Sequence, residues 1–235
     1  MAYLPGERPL INPWDNEEEC EDVGTRVTSN RGSCVAITRG VSGKASAYIE
    51  WGAGESATKL VAVVRGPRQQ SMTRSHFDVE ISFPSFAGTP SHTSEVGRDL
   101  SAYVKEAIEG TINMEQYPNA AISIHIKVLQ CNQSIHSLIS PAIAAAIAAC
   151  REGGISMKEA VVAVPVAIVE QEYVVDPNAF PPTAAAATIA FNVESRSVSL
   201  LHLTGIVKNA DAVDSMVNVA DGIVGNLVKV LGLVE

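Results

Sequence analysis

The sequence predicts a single α+β domain in which mixed sheets pack against helices. Of the 235 residues, 46% are hydrophobic and only 18% are charged, so the chain can bury a sizeable core. Ala, Val and Ile are in excess over aromatic residues, which make up 5%, and this favours helices on sheets over a sandwich built on aromatic anchors. Strand and helix signals interleave without an internal repeat or linker, which indicates one domain.

Short strands dominate the N-terminal half, after an extended arm. Residues 1–30 are rich in Pro, Asn and Glu and predict an arm that is ordered only where it docks, whereas residues 31–235 form the domain. Alternating, β-branched runs bounded by turn residues predict strands at 33–39, 45–51, 58–65 and 76–83. Gly66, Pro67 and Arg68 predict a turn that ends the third of these strands.

Helices and strands alternate in the middle of the chain. Ser94 is expected to cap a helix whose apolar stripe recurs at helical spacing as far as Ile112. In the strand that follows, Ile and Val at 122–128 alternate with polar residues. Residues 137–152 predict an Ala-rich helix with close neighbours, which stops at Gly153. This strand, helix, strand, helix order predicts a βαβα core.

The C-terminal third predicts three strands and a closing helix. Val161 to Glu170 is a continuous apolar run, typical of a buried central strand. Two further strands are predicted near 187–193 and 197–204. The closing helix covers roughly 209–232, with a stripe of Val, Ile, Leu and Met on its inner side.

Charge and cysteine content exclude several classes of protein. A net charge of −9 and a pI near 5.1 give no overall basic footprint, so any contact with RNA must be local or supplied by a partner. The four cysteines lie at positions 20, 34, 131 and 150, without zinc spacing or a disulfide framework. The N-terminus lacks the apolar segment of a signal peptide, and no membrane span is predicted. The expected setting is therefore the cytosol or the nucleus.

Several short motifs of the sequence occur in the same order and spacing as in the members of a known protein family. They are Gly24-Thr25-Arg26, the hairpin from Ala45 to Val64, Tyr117-Pro118, Ile122 to Gln130, Gly154 to Met157, and Val175-Asp176-Pro177. Together they resemble the RNase PH family, which implies an RNase PH-like domain. Gly66 to Gln69, Phe83 to Gly88, and the absence of Asp-Gly-Gly after Gln130 resemble the mRNA transport regulator type of ring subunit. That type belongs to the non-catalytic ring proteins of the eukaryotic RNA exosome.

The family resemblance also implies that the catalytic positions are lost. Active members use two arginines to hold phosphate, and the matching positions carry His92 and His136. They use paired acids after the Asp-Pro phrase, where this sequence has Pro182 and Thr188. A guanidinium binds phosphate bidentately and stays charged, which an imidazole does not, and neither Pro nor Thr replaces a carboxylate. We therefore expect no catalytic residue, no metal site, no cofactor and no enzymatic activity.

Four arginines are the residues expected to contact RNA. Arg65, Arg68 and Arg74 lie around the loop predicted after the second strand of the hairpin, and Arg98 lies on the first helix. In the exosome ring, the resemblance implies, loops of this kind point toward the central channel. Contacts to phosphate there are expected to be independent of RNA sequence and sensitive to salt.

The resemblance implies a non-catalytic structural subunit of the exosome core ring, acting in RNA processing and decay. The expected partners are other RNase PH-like ring subunits, S1/KH-type cap subunits, an associated 3′–5′ exoribonuclease and RNA. The expected location is the nucleus, including the nucleolus, and the cytoplasm. Two alternatives stay open: an active phosphorolytic 3′–5′ exoribonuclease, which requires converging Asp and Arg pairs, and a free-standing RNA-binding scaffold, which requires a stable monomer.

Overall fold

In the computed structural model, the described part of the chain forms two five-stranded sheets and three α-helices. The structure describes residues 27–29, 35–40, 45–52, 57–69, 75–84, 87, 93–131, 135–169, 172–176, 185–207 and 209–232. Most of the predicted arm lies outside these ranges; its described part, Val27–Ser29, is a strand.

The first sheet comes from the N-terminal half of the chain. Its strands, in chain order, are β2 (Val35–Arg39), β3 (Ser46–Trp51), β4 (Thr58–Gln69), β5 (His76–Ser82) and β6 (Ala120–Gln130). They lie side by side in the order β2-β3-β4-β6-β5. All pairs are antiparallel except β5 and β6, which are parallel because helix α1 (Thr93–Glu109) crosses between them. With helix α2 (Ile139–Glu152), these elements form the predicted βαβα core.

The second sheet completes the domain and is also mixed. Its strands are β1 (Val27–Ser29), β7 (Val161–Val169), β8 (Glu172–Val175), β9 (Ala185–Asn192) and β10 (Val198–Thr204). Their spatial order is β1-β8-β7-β9-β10, so the apolar run is the central strand, as predicted. Strand β1 pairs parallel with β8, and the other pairs are antiparallel. Helix α3 (Ala210–Val230) packs on β7, β8 and β9.

Helix α2 occupies the centre of the molecule. Every residue from Ile139 to Cys150 is buried, because the helix packs against β3 and β4 of the first sheet and β7 of the second. Its many alanines allow this close approach on all sides, as the sequence predicts. The helix ends at Gly153, and Gly154 follows with a φ of +66°, a conformation that glycine adopts without strain.

Three local predictions differ from the structure. Gly66-Pro67-Arg68 is part of β4 and not a turn, because β4 continues past a register shift to pair Arg68 and Gln69 with β6. Helix α1 begins at Thr93, so Ser94 lies inside the helix and does not precede it as a cap. Strand β8 is not predicted from sequence, because its four residues give little local signal and it is stabilised by pairing with β7 and β1.

Candidate functional site

Of the four positions where catalytic groups are predicted to be lost, the structure describes Thr188 completely. His92 and Pro182 lie outside the described residues, and His136 is described only as part of a 3₁₀ turn at Ile135–Leu138. Thr188 is buried in the middle of β9, opposite Pro165 of β7 on one side and His202 of β10 on the other. An uncharged, buried hydroxyl at this place can neither ligate a metal ion as a carboxylate does nor move a proton at neutral pH.

Asp176, a carboxylate that precedes the lost acid positions in the sequence, has a structural contact. It follows β8 and is fully buried. Its Oδ2 accepts a hydrogen bond from the indole N–H of Trp51 at 2.9 Å, and its own peptide N–H donates to the carbonyl oxygen of Pro165 at 2.8 Å. Since Trp51 belongs to the first sheet and Pro165 to the second, Asp176 joins the two sheets.

Arg65 and Arg68 lie on one exposed face of the first sheet, which we call the open face. The alternating burial of β3, β4 and β6 defines it: one side faces the core, and the other is partly accessible. In the β4–β6 register, Arg65 is opposite Ser123 and Arg68 is opposite Ala121, so one extra residue of β4 is accommodated between them. Both arginines are therefore presented side by side, near one end of the sheet.

Gly66 is required for this presentation. Its φ of +126° lies in the region that residues with a side chain rarely adopt, and a Cβ there would lie 2.5 Å from the carbonyl oxygen of Ala121. Close approach of β4 to β6 at the register shift thus depends on the absence of a side chain at position 66. Gly66-Pro67-Arg68, which the sequence predicts to be a turn, is thus an irregularity within β4 that orients Arg65 and Arg68.

Of the predicted arginines that the structure describes, Arg98 lies apart from Arg65 and Arg68. Ala121, opposite Arg68, is also opposite His76, at the start of β5. Arg98 lies on the first turns of α1, which packs at the other end of β5, since the peptide N–H of Ile81 donates to Ser101 Oγ at 2.9 Å. The five-residue step between His76 and Ile81 separates the two positions by about 17 Å along the strand. Arg74 lies outside the described residues.

Carboxylates accompany the arginines on the open face. Ser123, opposite Arg65, is also opposite Asp78 of β5, which forms an ion pair with Lys105 of α1 at 3.6 Å. On β3, Glu50 pairs with Lys59 at 3.1 Å. Burial, followed by the charge of Glu50 and a hydrogen bond to it, raises the pKa of Tyr48 to about 12. The face carries both signs of charge, so phosphates can bind only at its cations, which include Arg65 and Arg68.

A chain of polar contacts beside Arg65 was not predicted from sequence. His125 Nδ1 lies 2.8 Å from Glu80 Oε2, and Ser123 Oγ lies 3.3 Å from His125 Nε2. The alternation along β6 indicates that Ser123 and His125 share a face, but the parallel pairing that brings in Glu80 is not visible in the sequence. The side chain of Glu80 is 66% exposed, so water screens this group and the contacts form a surface network.

Neither a metal-ligand cluster nor a membrane-spanning helix is found in the part of the chain that the structure describes. Within those ranges, His, Cys, Asp and Glu side chains nowhere gather in a group of three or more that suits a metal ion. Helices α1 to α3 and the shorter helical turns described here include none with the length and apolar character needed to cross a membrane.

Comparison with known proteins places these positions in a family context. Residues 31–156 match the domain family described as "3′ exoribonuclease family, domain 1" (RNase PH). The chain is 28% identical over 141 residues to "Exosome complex component RRP41-like" of Arabidopsis thaliana, a match that covers 58% of this chain and 52% of that protein. It is 30% identical over 153 residues to "Exosome complex component Rrp41" of Pyrococcus abyssi, covering 61% and 58%. The chain thus spans little more than half the length of these two relatives.

Longer matches extend over most of the chain. "Exosome complex component Rrp41" of Cenarchaeum symbiosum is 29% identical over 208 residues, which covers 82% of this chain and 80% of that protein. Among solved structures, the crystal structure of rice (Oryza sativa) Rrp46 superposes with a TM-score of 0.65 at 18% identity, over 83% of this chain and 92% of that one. At this identity the superposition establishes the common fold.

Proposed function

Because this chain belongs to the RNase PH family of 3′ exoribonuclease domains, we propose that it is a non-catalytic structural subunit of an RNA exosome ring. The relatives named above are exosome complex components, and the longest of these matches covers 82% of this chain. In this role the chain pairs with other RNase PH-like subunits. Together they enclose a channel that guides RNA to an associated 3′–5′ exoribonuclease in RNA processing and decay.

The observation that carries the non-catalytic part of the proposal is the environment of Thr188. The family resemblance puts a catalytic acid at this position, and here the side chain is an uncharged hydroxyl buried between β7 and β10. A phosphorolytic site must hold phosphate and a metal ion or proton donor in place by preorganised charges. Loss of one such contact costs about 10²–10³ in rate, and the sequence differs at all four positions compared.

The test of this part is phosphorolysis by the purified full-length chain. We expect no phosphate-dependent shortening of a 3′-labelled single-stranded RNA. The variant Thr188→Asp is expected to be equally inactive, because one restored carboxylate leaves the phosphate positions 92 and 136 and the second acid position, 182, unrepaired. Release of nucleoside diphosphates by the wild-type chain that stops without phosphate would show instead that the protein is an active exoribonuclease.

The proposed assembly extends to partners and to location. We propose that S1/KH-type cap subunits cover one side of the ring and that the particle occurs in the nucleus, including the nucleolus, and in the cytoplasm. Gentle affinity purification of the endogenous protein, followed by native sizing and mass spectrometry, tests the partners. Equimolar RNase PH-like chains in a particle several times the 24.8 kDa of this chain are the expected result. A lone monomer would contradict it. Imaging of the tagged protein tests the location.

A further inference from the structure

Strand β10 is an exposed edge of the second sheet, and it is apolar. It pairs with β9 on one side only, because it is the last strand in the order β1-β8-β7-β9-β10. Among the residues that the structure describes, the exposed large hydrophobic side chains all belong to β10 or its following turn. They are Val198 (45% exposed), Leu201 (45%), Leu203 (40%) and Ile206 (83%), and we call them the apolar edge.

The two faces of β10 have different neighbours. Leu200 is buried, and His202, two residues on, packs its ring against Tyr103 of α1 with centroids 4.3 Å apart. Leu201 and Leu203 alternate with these residues and point to the opposite face, where they remain accessible. The apolar edge therefore has a well-packed inner side, and on its outer side the side chains of Leu201 and Leu203 stay accessible among the residues that the structure describes.

The chain protects the corresponding edge of its first sheet. Strand β5 is an edge strand as well, and its exposed positions carry His76, Asp78 and Glu80. Charged side chains of this kind discourage pairing with another strand. In contrast, the sequence from Ser197 to Val207 contains no Asp, Glu, Lys or Arg. The same molecule thus blocks one edge with charge and leaves the other free of it, as is expected if β10 is used for strand pairing.

The size and charge of this edge indicate which occupant fits it. A strand of seven residues is about 23 Å long, and a strip of one strand's width is far smaller than the ~800 Å² per partner that stable interfaces bury. A stable partner must therefore be a folded protein that also covers the flanks of β10. A second copy of this chain is disfavoured, because two molecules with a net charge of −9 repel each other, whereas an uncharged strand suits the uncharged edge.

We propose that β10 pairs, by strand addition, with an uncharged edge strand of a different chain of the RNase PH fold. The pairing extends the second sheet across the subunit boundary, with main-chain hydrogen bonds supplying affinity and Leu201 and Leu203 covered by the partner. This inference rests on the proposed function, since that function supplies folded partners of the same family. It adds the element through which one of the ring contacts is made.

The test compares two doubly substituted full-length chains in the same affinity purification. In the edge variant, Leu201→Lys and Leu203→Lys place two charges on the apolar edge. In the control variant, Gln116→Lys and Asn218→Lys add the same charge at exposed positions on other elements. We expect wild type and control to recover RNase PH-like chains equally and the edge variant to recover at least tenfold less. Thermal unfolding of the isolated variants checks that both are folded.

Hydrogen exchange measured by mass spectrometry provides a second readout that needs no substitution. The peptide containing Val198–Thr204 is expected to exchange at least tenfold more slowly in the assembled particle than in the isolated chain. If the edge variant assembles normally and this peptide shows no added protection, the pairing is overturned and the proposed function stands. If wild type recovers no RNase PH-like chain, the proposed function itself fails. Protection of β10 in a dimer of this chain alone would overturn the choice of partner.

Discussion

At the scale of the residue, the role of a carboxylate in a family motif is determined by the groups that it contacts. Asp176 follows the strand that precedes the lost acid positions, yet its carboxylate accepts the indole N–H of Trp51 inside the core. Its φ of +49° is tolerated by Asp better than by most residues, so the same side chain suits the turn and the contact. The sequence predicts the turn; the contact, 125 residues apart, depends on how the sheets stack.

Cys150 shows the effect of complete burial on a titratable group. It lies in the last turns of α2, and burial raises the pKa of its thiol from 9.0 to about 12. A thiol at this position is held neutral and unreactive up to strongly alkaline pH. Cys131 and Cys150, the cysteines within the described ranges, are both free and buried.

The pH dependence of stability is expected to reveal this thiol. Because its pKa is higher in the folded chain, the unfolded chain loses the proton first, so the stabilisation is complete below pH 9 and is lost as pH rises toward 12. Between pH 8 and pH 10, wild type should lose about 1.4 kcal/mol more unfolding free energy than Cys150→Ala. Urea unfolding at several pH values measures this difference. The contributions of Tyr48 and the other titratable groups are the same in both proteins and therefore cancel. Parallel pH curves for the two proteins would contradict it.

At the scale of the element, strand β4 combines a structural and a proposed functional role. Its first half pairs regularly with β3, and with β6 after a shift at Lys59/Leu60. At its exposed C-terminal end, a second shift lies between Arg65 and Arg68. From sequence alone, Gly66-Pro67 ends a strand, because these residues are usually found in turns. Pairing with β6 overrides that local preference, which is why the strand was predicted too short and the arginines were placed on a loop.

Hydrophobic periodicity predicts most helices and strands of this chain, but it does not predict which strands pair with each other. The alternation in β5 and β6 and the continuous apolar run of β7 are local signals, and those strands were predicted correctly. Strand β8 has only four residues, and its pairing with β1 joins segments far apart in the chain, so its own sequence gives little indication. The strand register likewise separates Arg98 from Arg65 and Arg68, which the local sequence does not show.

The separation of these arginines predicts different effects on RNA binding. Arg65→Ala with Arg68→Ala removes two adjacent cations, so the slope of log affinity against log salt should fall by about 1.4, at roughly 0.7 per phosphate contact on a single strand. Loss should be similar for RNAs of different sequence, because phosphate contacts do not read bases. Arg98→Ala removes one cation on a different element and should lower the slope by no more than about 0.7. Fluorescence anisotropy with labelled single-stranded RNA at several salt concentrations measures both. Equal effects of the two changes would contradict the assignment to β4.

At the scale of the whole molecule, α2 is a core shared by two sheets. Its side chains are buried from Ile139 to Cys150, and Ser140 Oγ donates a hydrogen bond to the carbonyl oxygen of Ala163 in β7. Asp176 and Trp51 make a second link between the sheets. Each sheet therefore lacks a complete core of its own, and we infer that the two unfold together. The net charge of −9 and the apolar edge at β10 are properties of this composite surface that no single element has.

A fragment limited to the family-matched residues 31–156 is accordingly expected not to fold alone. It retains the first sheet, α1 and α2, but it exposes the side of α2 that packs on β7, a surface rich in Ala and Ile. Residues 27–235, which keep both sheets, form the matched control and should unfold in one cooperative transition. Near-ultraviolet circular dichroism, urea unfolding and dye binding to exposed apolar surface distinguish the two. A cooperative transition of the fragment, with the stability of the longer chain, would show that the first sheet has an independent core and that α2 does not depend on the second.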